Sequence, residues 1–300
     1  VGLSYLRKRG FRDDILERFQ IGYSPEERTA FTREARKNGY KDVFLVKTGL
    51  SIQRDNYLFD RFAGRIIFPI HSLSGNVIGF GGRTLKSDKN IAKYLNSPES
   101  DIYHKSKVLY GLFQARKKIV TDDRCFLVEG YTDVIAMHQA GIEHVVASSG
   151  TSLTQEQIRL IKRFSNNITI IFDGDEAGIR ASLRGIDMIL EEGMNVKVVM
   201  LPEGEDPDSF AQQHNSSGFL TYIQDNEKDF ISFKTDILLS EAEQDPIKRA
   251  QLINDIVRSV AVIPDGIMRS VLLKDTGRKL GVEEKILYNE VNKIRRRRLE

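Results

Sequence analysis

Four short, almost wholly apolar runs constrain this chain more than anything else in it: Cys125–Val128, Val145–Ser148, Ile168–Phe172 and Val196–Leu201. The first three are followed by segments with a helical period, and strand–helix alternation at this spacing means βαβ units and a parallel sheet. Runs without polar alternation suit strands covered by helices on both faces. Helices are expected over Tyr131–Ala140, over Thr154–Phe164 with Thr154 and Gln157 spelling a capping box, and over Glu176–Glu192, ending at Gly193.

Three of the four runs lead into acids. Glu129 directly follows the first; Asp173 directly follows the third, with Asp175 two residues on; Asp206 and Asp208 lie in the loop after the fourth. Open parallel sheets bind ligands at the carboxyl ends of their strands, so these residues are expected along one edge of one sheet. Converging carboxylates are costly to ionise without a cation, and Mg2+ prefers oxygen ligands. The pattern points to a divalent-metal site and to phosphoryl or nucleotidyl transfer. Taken singly, DGDE reads as a helix N-terminus and GEDPD as a turn. Their recurrence at equivalent strand ends favours metal. An EF-hand is excluded, because Arg184 stands where its closing Glu is required, and no P-loop or HExxH motif is present.

The flanking regions differ in kind. Residues 1–48 carry a helical pattern, while Asn56–Phe59, Arg65–Ile70 and Val77–Phe80 read as strands, the last two joined by a Ser74-Gly75-Asn76 turn. Residues 84–118 show little strand but interleave Lys86, Lys89, Lys93, Lys105 and Lys107 with Tyr94 and Tyr103. Residues 211–300 contain no convincing strand and suggest a helical bundle. The expected fold is α/β (α+β overall): a basic mixed α/β subdomain at 1–120, a parallel-sheet domain at 121–210 and a helical subdomain at 211–300. Charge follows this division. Residues 1–118 hold 23 Lys and Arg against 12 Asp and Glu, whereas residues 119–210 hold 7 against 16. A basic block beside an acidic one implies a surface for a polyanion next to a metal site.

The single cysteine, Cys125, lies inside an apolar run and reads as a core residue, which leaves no internal disulfide and no CxxC zinc site. No apolar run approaches the roughly 18 residues of a membrane span, and no leader pattern opens the chain. No membrane partner and a cytoplasmic location are therefore expected. The start at Val1 suggests a piece of a longer protein.

EGYTDVIAMHQAGI, SSGTSLT, FDGDEAG and EGEDPDS together resemble the Toprim domain of topoisomerases and primases. Upstream, FAGRIIFPIHSLSGNVIGFGGR and KYLNSPES–DIYHKSKVLYGL resemble the catalytic core of bacterial replicative primases of the DnaG type. The likeness runs from about residue 3 to about residue 240. It implies a DNA-dependent RNA polymerase that makes short primers on single-stranded DNA from NTPs. On this likeness Glu129, Asp173, Asp175, Asp206 and Asp208 match the metal-site acids, holding two or more Mg2+ or Mn2+ ions. Glu129 is either a ligand or the general base. Arg83, Lys93 and Lys105 match basic positions beside the site, and Arg65, Lys107 and Arg9 are further candidates for nucleotide or template. The Gly81-Gly82 pair is expected to let a backbone approach closely, with Arg83 then presenting a planar fork suited to phosphate.

The likeness also implies guanosine tetraphosphate as an inhibitor at the nucleotide site. The family's zinc module and helicase-binding domain are expected to be absent here, so zinc is not assigned, and the replicative helicase is expected only through the missing part. Two other readings stay open: a Toprim-type metal-dependent nuclease, and a non-catalytic module binding nucleic acid or nucleotide.

Overall fold

The computed structural model describes residues 1–300 except 89, 151, 175, 243, 244 and 300, and excludes the side chains of 176–182, 184, 241, 242 and 299. Asp175 and Lys89 therefore lie outside the described residues.

The N-terminal part places four short helices, α1 (Gly2–Lys8), α2 (Asp13–Arg18), α3 (Ala30–Lys37) and α4 (Asp42–Lys47), around two small sheets. The strands are β1 (Gly22–Ser24), β2 (Ser51–Arg54), β3 (Tyr57–Asp60), β4 (Arg65–His71), β5 (Val77–Thr84) and β6 (Tyr94–Asn96). They form an antiparallel sheet ordered β1-β4-β5-β6 and a separate β2-β3 hairpin. The expected β4–β5 hairpin is present, with Gly75 at φ +91°, where a side chain is disfavoured. The helical reading of residues 1–48 is interrupted by β1, whose partner β4 lies some 40 positions later in the chain.

The second part is the expected parallel sheet. The helix α5 (Leu112–Asp122) leads into β7 (Cys125–Val128), α6 (Tyr131–Gln139), β8 (Val145–Ala147), α7 (Gln155–Lys162), β9 (Asn167–Phe172), α8 (Glu176–Glu191) and β10 (Asn195–Met200). Thr154 caps α7 and Gln157 closes the capping box, with the Gln157 N–H donating to Thr154 Oγ1 at 3.1 Å. Then follow α9 (Pro207–Gln213), α10 (Ser216–Asn226), β11 (Lys228–Asp229) and four helices, α11 (Phe230–Ala242), α12 (Pro246–Val262), α13 (Gly266–Leu280) and α14 (Glu284–Leu299). The sheet order is β11-β10-β9-β7-β8, with only β11 antiparallel. The short edge strand β11 corrects the expectation of no strand beyond residue 211, and α5 was not anticipated.

Alternation along the strands divides the core. Cys125, Leu127, Ile168, Ile170 and Val198 pack with α5, α7, α8 and the C-terminal helices. Phe126, Val128, Ile171 and Val199 pack with α6, α9 and the N-terminal sheet through Ile66, Phe68 and Ile70. The sheet is thus held between the basic part on one face and the helical part on the other. Cys125 is fully buried, and burial pushes its thiol pKa up, as suits a core residue.

Candidate metal and nucleotide site

The chain leaves β7 towards β8 but leaves β9 towards β10, so the connections diverge at the carboxyl ends of β7 and β9. That divergence opens the crevice where doubly wound sheets bind ligands. Glu129, at the end of β7, is exposed. With Ser148, Gly150 and Ser152 it rims a cavity of about 670 Å3 whose floor includes Leu127, Ile170 and Phe172. Asp173 and Asp206 line a second, open cleft at the ends of β9 and β10. Two backbone bonds shape that cleft: the Gly174 N–H donates to the Glu205 carbonyl at 2.9 Å, and the Glu205 N–H donates to that of Pro202 at 3.0 Å.

Each remaining acid has a defined anchor. Asp206 caps α9, its Oδ1 accepting from the Ser209 N–H at 2.7 Å. Asp208, only 1% exposed, is paired with the Arg9 guanidinium and accepts from Gln212 at 2.8 Å. Burial raises the Asp208 pKa against the opposing pull of Arg9. Arg9 thus reaches the site as a partner of Asp208.

Asp133 was not singled out from the sequence. It is buried on the first turn of α6, where its Oδ2 accepts from the Gly130 N–H at 2.8 Å. Its pKa is pushed up to about 7, first by burial and then by the charges of Asp173, Asp206 and Asp208, against the Gly130 hydrogen bond. The available signal was its place four residues after Glu129 at the start of a helix, which turns it back towards the strand end.

The acids therefore share one electrostatic neighbourhood. Among the described residues, no three acidic, His or Cys side chains already meet as a closed coordination shell. The donor set is nonetheless all carboxylate, and burial together with the neighbouring acids pushes the Asp133 pKa up. That chemistry fits a hard divalent cation and not a zinc thiolate site.

The basic residues surround this edge by different routes. Arg83 on β5 stacks its guanidinium over Tyr5 and Tyr94, at 5.4 and 5.8 Å from the ring centroids. Lys93, just before β6, is exposed. The strand β6 is joined to the end of β7 and to the loop after β8. The Tyr131 hydroxyl donates to Asn96 Oδ1 at 2.6 Å, Asn96 Nδ2 donates to the Ser149 carbonyl at 3.3 Å, and the Ser149 N–H donates to the Glu129 carbonyl at 3.2 Å. Lys105 is half-buried and Lys107 exposed. Their segment is tied to the start of α7, because Thr154 Oγ1 donates to the Ser106 carbonyl at 2.6 Å and Gln157 Nε2 donates to that of Val108 at 2.8 Å. Lys107 lies 3.8 Å from Glu156.

Two readings change. Arg65 is 8% exposed, and its Nη1 donates to the carbonyls of Gly82 at 3.1 Å and Ala92 at 3.0 Å, so it braces the β5–β6 connection instead of presenting a free fork. The space beside the Gly81-Gly82 pair is taken by aromatic rings and not by another backbone segment. A Cβ at Gly81 would overlap Tyr131, and one at Gly82 would stand 2.6 Å from Phe62. Tyr103 is buried, and Tyr94 packs at 5.9 Å from Tyr131.

Comparison with known proteins agrees with this architecture. Residues 1–116 match the family described as DNA primase catalytic core, N-terminal domain; residues 126–211 match the Toprim-like family; residues 231–285 match the DnaB-helicase binding domain of primase. The last match corrects the expectation that the helicase-binding part lies wholly outside this chain. A DNA primase from Halalkalibacterium halodurans is 38% identical over 302 residues, which cover 99% of this chain and 50% of the relative. The chain spans about half the length of the curated relatives it matches. A DNA primase domain from Pseudomonas aeruginosa superposes with a TM-score of 0.85 at 31% identity, covering 97% of this chain and 92% of that one. A DnaG primase catalytic domain bound to ssDNA gives 0.80 at 34% identity, covering 92% and 89%. Matched by these family descriptions and superposing on primase domains along nearly its whole length, this chain belongs to the bacterial DnaG-type DNA primases, as their Toprim-containing catalytic core.

Proposed function

We propose that this chain synthesises short RNA primers on single-stranded DNA by divalent-metal-assisted nucleotidyl transfer. The observation that carries the reading is the run of acids at the carboxyl ends of three adjacent strands of one sheet, Glu129 after β7, Asp173 after β9 and Asp206 after β10, beside the buried Asp133. Glu129, Asp173, Asp175, Asp206 and Asp208 would hold Mg2+ or Mn2+, with Asp208 offered from a pair with Arg9. When bound, the cations would stabilise the attacking and leaving oxygens of the transfer. Glu129, exposed at the end of β7, is placed either to ligate or to take the proton of the primer 3′-hydroxyl. Arg83, Lys93, Lys105 and Lys107 would bind nucleotide and template phosphates, Arg83 as a planar fork and the lysines as point charges. Arg65 would act on the same phosphates only through the segment that carries Lys93.

The division at 1–120, 121–210 and 211–300 then becomes one of labour: template guidance, chemistry and partner contact. The match at 231–285 supports a replicative helicase as a partner of the helical part. Among the described residues, no helix is long and apolar enough to cross a membrane. A cytoplasmic place follows from the replicative role. Guanosine tetraphosphate would compete with GTP for the same cations, which a displacement titration would show or refute.

The test is incorporation of labelled NTPs on single-stranded DNA with Mn2+, comparing parent with Asp173→Ala. Template-dependent RNA should fall by about 100-fold or more, the scale of losing one preorganised electrostatic stabiliser. A variant that retains its fold and polymerises like the parent would refute the proposal. Cleavage of template without RNA would favour a nuclease, and neither product a binding module.

A further inference from the structure

One helix outside the sheet touches the strand that leads into Asp173 and, about three turns along it, the helix that follows. Phe233 on α11 stacks against Phe172, with centroids 6.2 Å apart and planes inclined by 16°. Phe172 is the last residue of β9 and immediately precedes Asp173. The next residue of α11, Lys234, is only 8% exposed. Its Nζ lies 3.9 Å from Asp187 Oδ2 on α8, donates to Ser259 Oγ on α12 at 2.7 Å, and sits 5.9 Å from the Phe230 ring centroid. The helix α8 begins at Glu176, directly after the FDGD segment. Two consecutive residues of α11 therefore fix the strand before the loop and the helix after it.

The chemistry of the second contact argues for a purpose beyond stability. The Lys234 ammonium is buried and the Asp187 carboxylate half-buried, so the pair gives up hydration that its attraction seldom repays in full, and apolar replacements are often as stable. What an ion pair adds over leucine and methionine is register, because its attraction is lost when one helix slides past the other.

We infer that Phe233 and Lys234 are positioning residues for the Asp173 carboxylate, acting through Phe172 and α8. The inference rests on the metal-holding role proposed above for that carboxylate. Both residues fall within the 231–285 match, so a partner seated on the helical part would have a mechanical route to the metal loop.

The test is Mn2+ binding, followed by loss of the free-ion electron paramagnetic resonance signal, in the parent, Phe233→Leu, the double variant Lys234→Met with Asp187→Asn, and Asp173→Ala. The double variant removes both charges, so that no lone buried charge remains to unfold the protein. Urea denaturation and hydrogen exchange of the metal-free proteins accompany the titration. The brace predicts Mn2+ affinity lowered about tenfold in both brace variants, the scale of losing a group that orients a ligand. It also predicts faster exchange confined to the amides around 172–176, with the urea midpoint of the double variant unchanged or higher. If Asp173→Ala abolishes binding while both brace variants bind like the parent, the brace is wrong and the metal reading survives. If Asp173→Ala binds like the parent, the metal reading fails and the inference falls with it. Weakening that merely tracks the unfolded fraction also overturns the brace.

Discussion

At Gly174 the constraint is space and not backbone freedom. A Cβ there would overlap the carbonyl of Pro202 and stand 2.8 Å from Glu203 Cα, both backbone atoms of the loop after β10. Backbone cannot rotate aside as a long side chain can, so Gly174→Ala must part the β9 and β10 loops. We expect a loss of about 1–3 kcal/mol in urea denaturation, the usual scale of overpacking. Mn2+ binding should weaken further than that loss explains, because Asp173 and Asp206 flank the junction. Unchanged metal affinity would show that the two loops hold their acids independently. Reading a residue's place from sequence worked where a strand end dictates it, as at Glu129 and Asp173, which directly follow β7 and β9. It failed where the partner is remote in the chain. Nothing local shows that Arg9 meets Asp208, 199 positions away, or that Arg65 turns inward to carbonyls.

Among the elements, α6 carries a second consequence of burial. His138 is 3% exposed, neither ring nitrogen has a hydrogen-bond partner among the described residues, and the Phe19 ring packs edge-on at 4.9 Å. Burial first, then Arg18, lowers its pKa to about 3, against a partial opposing pull from Glu143. The unfolded chain, with an ordinary histidine pKa near 6.5, therefore binds the proton that the folded chain refuses. Stability is complete above about pH 6.5 and falls as pH drops towards 3. By pH 5 the loss from this residue is on the order of 2 kcal/mol. Replacing His138 with Leu should flatten the pH 5–7 dependence of urea stability by about that amount; an equal fall in parent and variant would place the effect elsewhere, His144 being the next candidate. The same helix shows which elements were legible. Segments whose own pattern decides them, from β7 to β10, were placed within a residue or two. The strands β1, β6 and β11 are two or three residues long and exist because a distant neighbour supplies their hydrogen bonds. The helix α5 hides its buried Leu112, Ala115 and Ile119 among six polar or charged neighbours, Gln114, Arg116, Lys117, Lys118, Thr121 and Asp122.

For the whole molecule, the charge asymmetry predicts that template binding and catalysis can be separated. The basic block covers one face of an acidic sheet domain, and Tyr131 with Asn96 bolts the two together at the active edge. On the proposed function, a strand drawn to Arg83, Lys93 and Lys105 would be delivered to the acids by geometry rather than by attraction, since the acids repel its phosphates. Each cation engaged on a phosphate releases counterions, contributing roughly 0.7 to the slope of log affinity against log salt for single strands. Replacing all three with Ala should make that slope shallower by about 2 and weaken binding uniformly across template sequences. Asp206→Asn should do the reverse. Neutralising one acid leaves single-stranded DNA bound as tightly as before, or more so at low salt, while primer synthesis collapses. Fluorescence anisotropy across a salt series, paired with NTP incorporation on the same preparations, reads both quantities. A triple variant with the parent's salt slope would move the template path off this basic edge. An Asp206→Asn protein that lost DNA binding together with activity would mean that the cations held by the acids are themselves what grips the template.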